Sequence, residues 1–193
     1  MANTLPSEVF YRAWFAPRLK LLGHDCAPFC LGHRIILGAL RSPFITGGDA
    51  SPGDVLLFLR VCSGAVFPFH EFDPGEPDAA LLGQLADEGA LTEALVAIYT
   101  WLDECGSGPR MGVELWEEEG EDAPRSVTAP PALAIAAKLI KSKFAEERVM
   151  TMPEGAARWW CAVLGELEGG AAFVTDEEAA DMDATLAAAG GRN

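Results

Sequence analysis

The stretch Phe29–Gly64, FCLGHRIILGALRSPFITGGDASPGDVLLFLRVCSG, decides the fold of this 193-residue chain. It holds two apolar runs, Ile35–Leu40 and Val55–Cys62, separated by a connector rich in Pro, Gly, Ser and Asp. The second run is apolar on every side except at Arg60, so other elements must cover it. Taken alone, VLLFLRV reads equally well as a buried strand. Ser51-Pro52-Gly53-Asp54, immediately before it, decides for a helix. Ser51 can cap, Pro52 suits the first helical position, and Asp54 can complete a capping box. The run is therefore expected to be the buried central helix of a helical domain. The first run predicts a helix over about Leu31–Leu40, ended by Ser42-Pro43 because the residue before proline avoids the helical region. Gly47-Gly48 then makes a turn.

Toward the N-terminus, Ser7–Gly23 carries Val9, Phe10, Ala13, Trp14, Leu21 and Leu22 on a helical rhythm, divided by Pro17. The pattern predicts a short helix, a kink and another turn or two, with His24–Phe29 as a loop. Toward the C-terminus, Val66–Asp78 (VFPFHEFDPGEPD) is a proline-rich aromatic loop. Helices follow at Ala79–Asp87 and Leu91–Glu104, the latter with Leu91, Leu95, Ile98 and Leu102 on one face. Residues 105–130, broken by Gly, Pro and the run Glu117-Glu118-Glu119, read as an acidic linker or loop. A helix over about Pro131–Glu147 is expected to turn Leu133, Ala137, Ile140 and Phe144 inward. Its other face carries Lys138 and Lys141, with Arg148 beyond. Thr151-x-x-Glu154 and Thr175-x-x-Glu178 are capping-box patterns that open two last helices, joined through GGAAFV into an αα-hairpin. The expected fold is all-α: a compact multi-helix domain with a C-terminal αα-hairpin and a long acidic loop. An N-terminal body (1–104) and C-terminal helices docked on it (131–193) flank the linker (105–130).

Half of the residues are hydrophobic, enough for a sizeable core. The net charge of −15 is unevenly spread. Residues 1–60 carry six basic and four acidic side chains, residues 61–122 one and fifteen, and residues 123–193 seven and ten. A chain with no Lys or Arg between Arg60 and Arg110 lacks the cation clusters that neutralise phosphates, so nucleic acid is not an expected partner. No apolar run approaches the roughly 18 residues that span a bilayer, and MANTLPSEVFYRAW does not read as a secretion signal. An intracellular, cytoplasmic protein is expected, with no membrane partner. Five scattered cysteines do not suggest a disulfide framework. Cys62 and Cys161 fall within apolar helical patterns, as small core residues do.

His24-x-Cys26-x3-Cys30-x2-His33 gathers zinc-type ligands within ten residues. Structural zinc sites bring ligand pairs from separated turns, whereas these four crowd into one loop and one helix start. Buried thiols and hydrogen-bonded histidines fit that crowding better, so no cofactor is expected. There is no G-x-S-x-G elbow, P-loop, H-E-x-x-H or G-x-G-x-x-G, and a non-enzymatic protein is expected. Trp159 and Trp160 point about 100° apart on a helix and cannot face one core centre. With Trp14, they are the candidate partner-binding residues, aromatic side chains being enriched at protein interfaces.

LGHRIILGALRSPF, a Gly-rich turn and DVLLFLRVCS, with PEGAARWWCAVLGELEGG…VTDEEAADMD, resemble small helical proteins of bacteriophages and prophages of the tail-assembly chaperone type. The resemblance covers about Leu31–Ser63 and Met152–Asp183 and leaves the acidic middle unmatched. It implies a role in holding tape-measure or tail-tube components, and assigns no catalytic residue. The partner it implies is another protein. An acidic mimic of DNA and a small zinc-binding interaction module are the alternatives from other classes.

Overall fold

A computed structural model describes residues 13–64, 75–76, 78–106 and 129–168. Eight helices hold 68% of these residues, and the one sheet among them has two short strands, so the described chain is mostly helical. The order is β1 (Leu19–Leu21), β2 (His24–Cys26), α1 (Leu31–Ala39), α2 (Pro43–Thr46), α3 (Pro52–Ser63), α4 (Ala79–Leu85), α5 (Glu88–Gly106), α6 (Pro131–Lys141), α7 (Glu146–Thr151) and α8 (Glu154–Leu167). No helix among the described residues is long and apolar enough to cross a membrane.

α3 starts where its leading residues direct. The Asp54 N–H donates to Ser51 Oγ at 3.3 Å and the Ser51 N–H to Asp54 Oδ2 at 2.8 Å, a reciprocal box that satisfies two backbone donors. Val55, Leu56, Phe58, Leu59, Val61 and Cys62 are all buried, against β2, α1, α4 and α5. Around Phe58 the first core is aromatic. Phe29 stacks on it at 6.2 Å between centroids, Phe44 lies at 4.7 Å, and Trp101 stands edge-on at 6.0 Å. Arg60, the one charged position, packs against Gly75, where an added Cβ would lie 3.2 Å from its Nη1. With φ at +59° there as well, the site favours glycine.

α1 serves two cores. Ile36 and Leu37 join the first. Leu31 joins a second, built from Ala132, Ala136 and Leu139 of α6, Val149 and Met150 of α7, Met152, and Ala156 and Ala157 of α8. α6 and α8 run antiparallel, since Lys138 reaches Glu168 while Phe144 packs on Trp160.

The structure corrects the sequence reading at five places. The turns expected before Gly23 and the loop after it form an antiparallel hairpin, with Leu19 opposite Cys26 and Leu21 opposite His24. Leu22 and Gly23 both take positive φ, +50° and +80°, as a tight two-residue hairpin turn requires. Pro43, read only as a helix stop, opens the short helix α2, because proline suits a first helical position. The single helix expected over 131–147 is two, broken where Lys143 takes φ +73° and the Phe144 N–H closes back on the Leu139 carbonyl at 3.1 Å. Its inward face is Ala132, Ala136 and Leu139, one residue off the expected stripe; Leu133, Ala137 and Ile140 are exposed and Phe144 is partly buried. Finally, Thr151 caps nothing: its hydroxyl donates to the Glu147 carbonyl at 2.8 Å, and Pro153 precedes α8. Most of the loop Val66–Asp78, the linker segment 107–128 and the helix expected from Thr175 lie outside the described residues.

Candidate functional site

Consecutive positions on α8 send the two tryptophans into different surroundings. Trp159 is 2% exposed and lies in a small cluster with Ala13 and Ala162. It lies in the interior, away from its expected place at a contact face. Trp160 is partly buried at the edge of the second core, edge-on to Trp14 at 5.8 Å and to Phe144 at 5.3 Å. Of the three residues expected to meet a partner, the structure brings Trp14 and Trp160 together and buries Trp159. The rim of this array is open: Phe15, next to Trp14, is 79% exposed, and the Arg148 guanidinium lies 5.9 Å from the Phe144 ring centre. Trp160 Nε1 is buried with no acceptor among the described residues.

The cysteine–histidine cluster is divided among separate partners. The Cys30 N–H donates to His33 Nδ1 at 3.2 Å. The arrangement imitates a capping box at the start of α1, with thiol and imidazole in place of hydroxyl and carboxylate. His33 is 1% exposed, and burial holds its pKa down at about 4, so the ring is neutral with its proton on Nε2. His24 Nδ1 lies 3.0 Å from Ser63 Oγ, and the Ser63 hydroxyl donates to the Leu59 carbonyl at 2.7 Å. His24 is therefore the donor of that pair, and Ser63 is not activated as a nucleophile, since its proton is already committed to the carbonyl. Cys26 Sγ points to the same carbonyl at 3.7 Å. Among the described residues no three His, Cys, Asp or Glu side chains are arranged to hold a metal ion. Burial pushes the thiols up, Cys26 to about 12, Cys30 and Cys105 each to about 11, and Cys62 well above its ordinary value. They stay protonated and unreactive at neutral pH.

The polar group that sequence reasoning missed is Glu154. Its side chain is 1% exposed, and three charged N–H donors converge on it. Arg34 Nε reaches Oε2 at 2.6 Å, while Arg158 reaches Oε1 through Nε at 3.0 Å and Nη2 at 2.6 Å. The Glu154 N–H donates to the Phe29 carbonyl at 2.9 Å, and the Arg34 guanidinium lies 5.4 Å from the Phe29 ring centre. Burying a carboxylate this deep is costly unless it is paired and hydrogen-bonded in this way. The cluster clamps α8 onto the start of α1. Its Glu154–Arg158 half shows in the sequence as an i, i+4 pair. Its Arg34 half leaves no local signal. No protein-family model, curated protein or solved structure matches the chain.

Proposed function

We propose that this chain is a non-enzymatic protein-binding protein of the cytoplasm, which takes its partner at the aromatic rim beside α8. One observation carries the reading: Phe15, 79% exposed, extends the partly buried Trp14–Trp160–Phe144 array into solvent. Aromatic side chains with one face anchored and one face open are the usual anchors of protein contacts. The partner is another protein. Under the resemblance to tail-assembly chaperones it is a phage tail component, bound in the bacterial host. In this reading the domain is closed by a hairpin of α8 and a helix starting at Thr175, and the acidic segment 107–128 keeps it soluble. Nucleic acid, membrane and cofactor have no part in it.

The test is affinity capture from a phage-producing lysate with the wild-type chain and with Phe15→Ser, a surface change that leaves the cores intact. The expected result is one captured protein, lost in the variant while the circular dichroism spectrum is unchanged. Capture that ignores Phe15→Ser, or turnover of a small molecule by the purified chain, would defeat the proposal. A second reading, mimicry of DNA, draws support from residues 79–106, which carry five acidic and no basic side chains. Capture of a DNA-binding protein that duplex DNA displaces would favour it. The positions of His24, Cys26, Cys30 and His33 lend a zinc module no support.

A further inference from the structure

Two helices present partly exposed apolar faces whose charges are opposite, although Tyr99 on the first also packs on Phe44 at 5.5 Å. On α5, Ala94, Ile98, Trp101 and Cys105 turn inward. Thr92, Val96, Tyr99 and Asp103 follow at helical steps on the outer side, with Val96 60% and Tyr99 46% exposed. Glu88, Glu93 and Asp103 surround that pair, and no basic side chain occurs in residues 79–106. On α6, the outward stripe is Leu133, Ala137 and Ile140, with Leu133 42% and Ile140 38% exposed. Residues 131–143 carry three lysines and no acidic side chain. Lys138 is engaged with Glu168 at 3.4 Å, which leaves the exposed Lys141 and Lys143 at the end of the stripe.

We infer that the protein associates with a second copy of itself head to tail, the Val96–Tyr99 face of α5 on one copy seated on the Leu133–Ile140 face of α6 on the next. Each face has what the other lacks. Ala137 leaves a hollow between Leu133 and Ile140, and bulky ridges on one helix pack into such grooves on another. The lysines at the end of α6 meet the acidic surround of α5, which sets the pairing and disfavours α5 on α5 or α6 on α6. The two faces are different surfaces, so the contact is heterologous, and each added copy leaves one face of either kind free. One helix from each side makes a contact smaller than the standard protein interface of about 800 Å² per partner. The association is therefore weak and concentration-dependent. Repulsion between copies of charge −15 opposes it at low salt, and near physiological salt, with a Debye length of about 8 Å, that repulsion is largely screened.

The inference does not depend on the partner proposed above, and the Phe15→Ser chain should associate as the wild type does. The test is sedimentation velocity of the full chain in physiological salt, from micromolar to near-millimolar concentration. The mean mass of the wild type should rise with concentration. Val96→Asp and Ile140→Asp should each hold the chain monomeric, with unchanged circular dichroism because both positions are exposed. Mixing the two variants should restore a 1:1 pair that grows no further, since one variant retains the α6 face and the other the α5 face. A wild type that stays monomeric, growth that either substitution leaves unchanged, or a mixture that stays monomeric would each overturn the inference. So would a monomeric chain that instead binds an amphipathic lysine–leucine peptide through Val96, which would give the α5 face to a foreign basic helix.

Discussion

The core around α3 and the core shared by α6, α7 and α8 are filled differently. The first is filled by large side chains: Phe29, Phe44, Phe58, Leu59, Ile98 and Trp101, with rings in stacked and edge-on contact. The second sets four alanines, Ala132, Ala136, Ala156 and Ala157, among Leu31, Leu139, Val149, Met150 and Met152. Large residues define a core by the volume they exclude. Small ones define it by how closely they let backbones approach, and they bury less apolar area per residue. The second core compensates with a polar clamp, the Glu154 carboxylate between Arg34 and Arg158. The two regions should therefore fail differently, one when emptied and the other when crowded.

The largest effect is expected from emptying the first core. Phe58→Ala should cost about 3–5 kcal/mol, since the ring is fully buried among three others. Urea denaturation measures it; a loss under about 1 kcal/mol, a value ordinary for surface changes, would erase the contrast between the two regions.

Acid comes next. The folded-state pKa of His33, at about 4, lies below the ordinary 6.5, so its contribution is whole above pH 6.5. As the pH falls from 6.5 toward 4, the unfolded chain takes up a proton that the folded chain refuses, and stability drops by up to about 3 kcal/mol. Below that window this residue adds no further loss. His33→Gln keeps an acceptor for the Cys30 N–H and should flatten this part of the stability–pH profile. An unchanged slope between the two pH values would place the titration elsewhere.

Crowding the second core should be milder. Ala156→Leu adds three carbons at a fully buried position and should cost about 1–3 kcal/mol. An increase in stability would reveal unfilled space there and reverse the contrast. The smallest expected effect is Ser51→Ala at about 1 kcal/mol, the loss of one cap at the start of α3. A much larger value would mean that the first core depends on how its helix begins as well as on what fills it.

What could be read in the sequence divides along the same line. α3 was legible from four residues, because Ser51-Pro52-Gly53-Asp54 is a local device that works wherever the rest of the chain lies. The end of α1 was legible for a similar reason, from Ser42-Pro43. The hairpin at 19–26 was not, because Leu22 is an unusual residue for a positive φ and nothing local announces it. α6 was found, but its buried face was assigned one residue off. ALAIAA is apolar on all sides, so periodicity cannot choose between Ala132–Ala136–Leu139 and Leu133–Ala137–Ile140. Glu154 was read as a partner for Thr151, whereas the structure gives it to Arg34, 120 positions away, through a contact with no local pattern. At the candidate site, the divergence of Trp159 and Trp160 was legible from helical geometry alone. Which one faces the interior depends on Ala13, and that is tertiary information.

The bond between Arg34 and Glu154 has a consequence for the order in which the molecule is made. A ribosome adding about 5–20 residues per second needs roughly 6–24 s to travel the 120 positions that separate them. Residues up to Cys105 can assemble the first core well before α8 is translated. Throughout that interval Arg34 has no carboxylate, and Leu31 faces water on the side that α6, α7 and α8 will later fill. The nascent chain thus displays an unfinished apolar edge on α1, open to whatever protein meets it there until α6, α7 and α8 arrive.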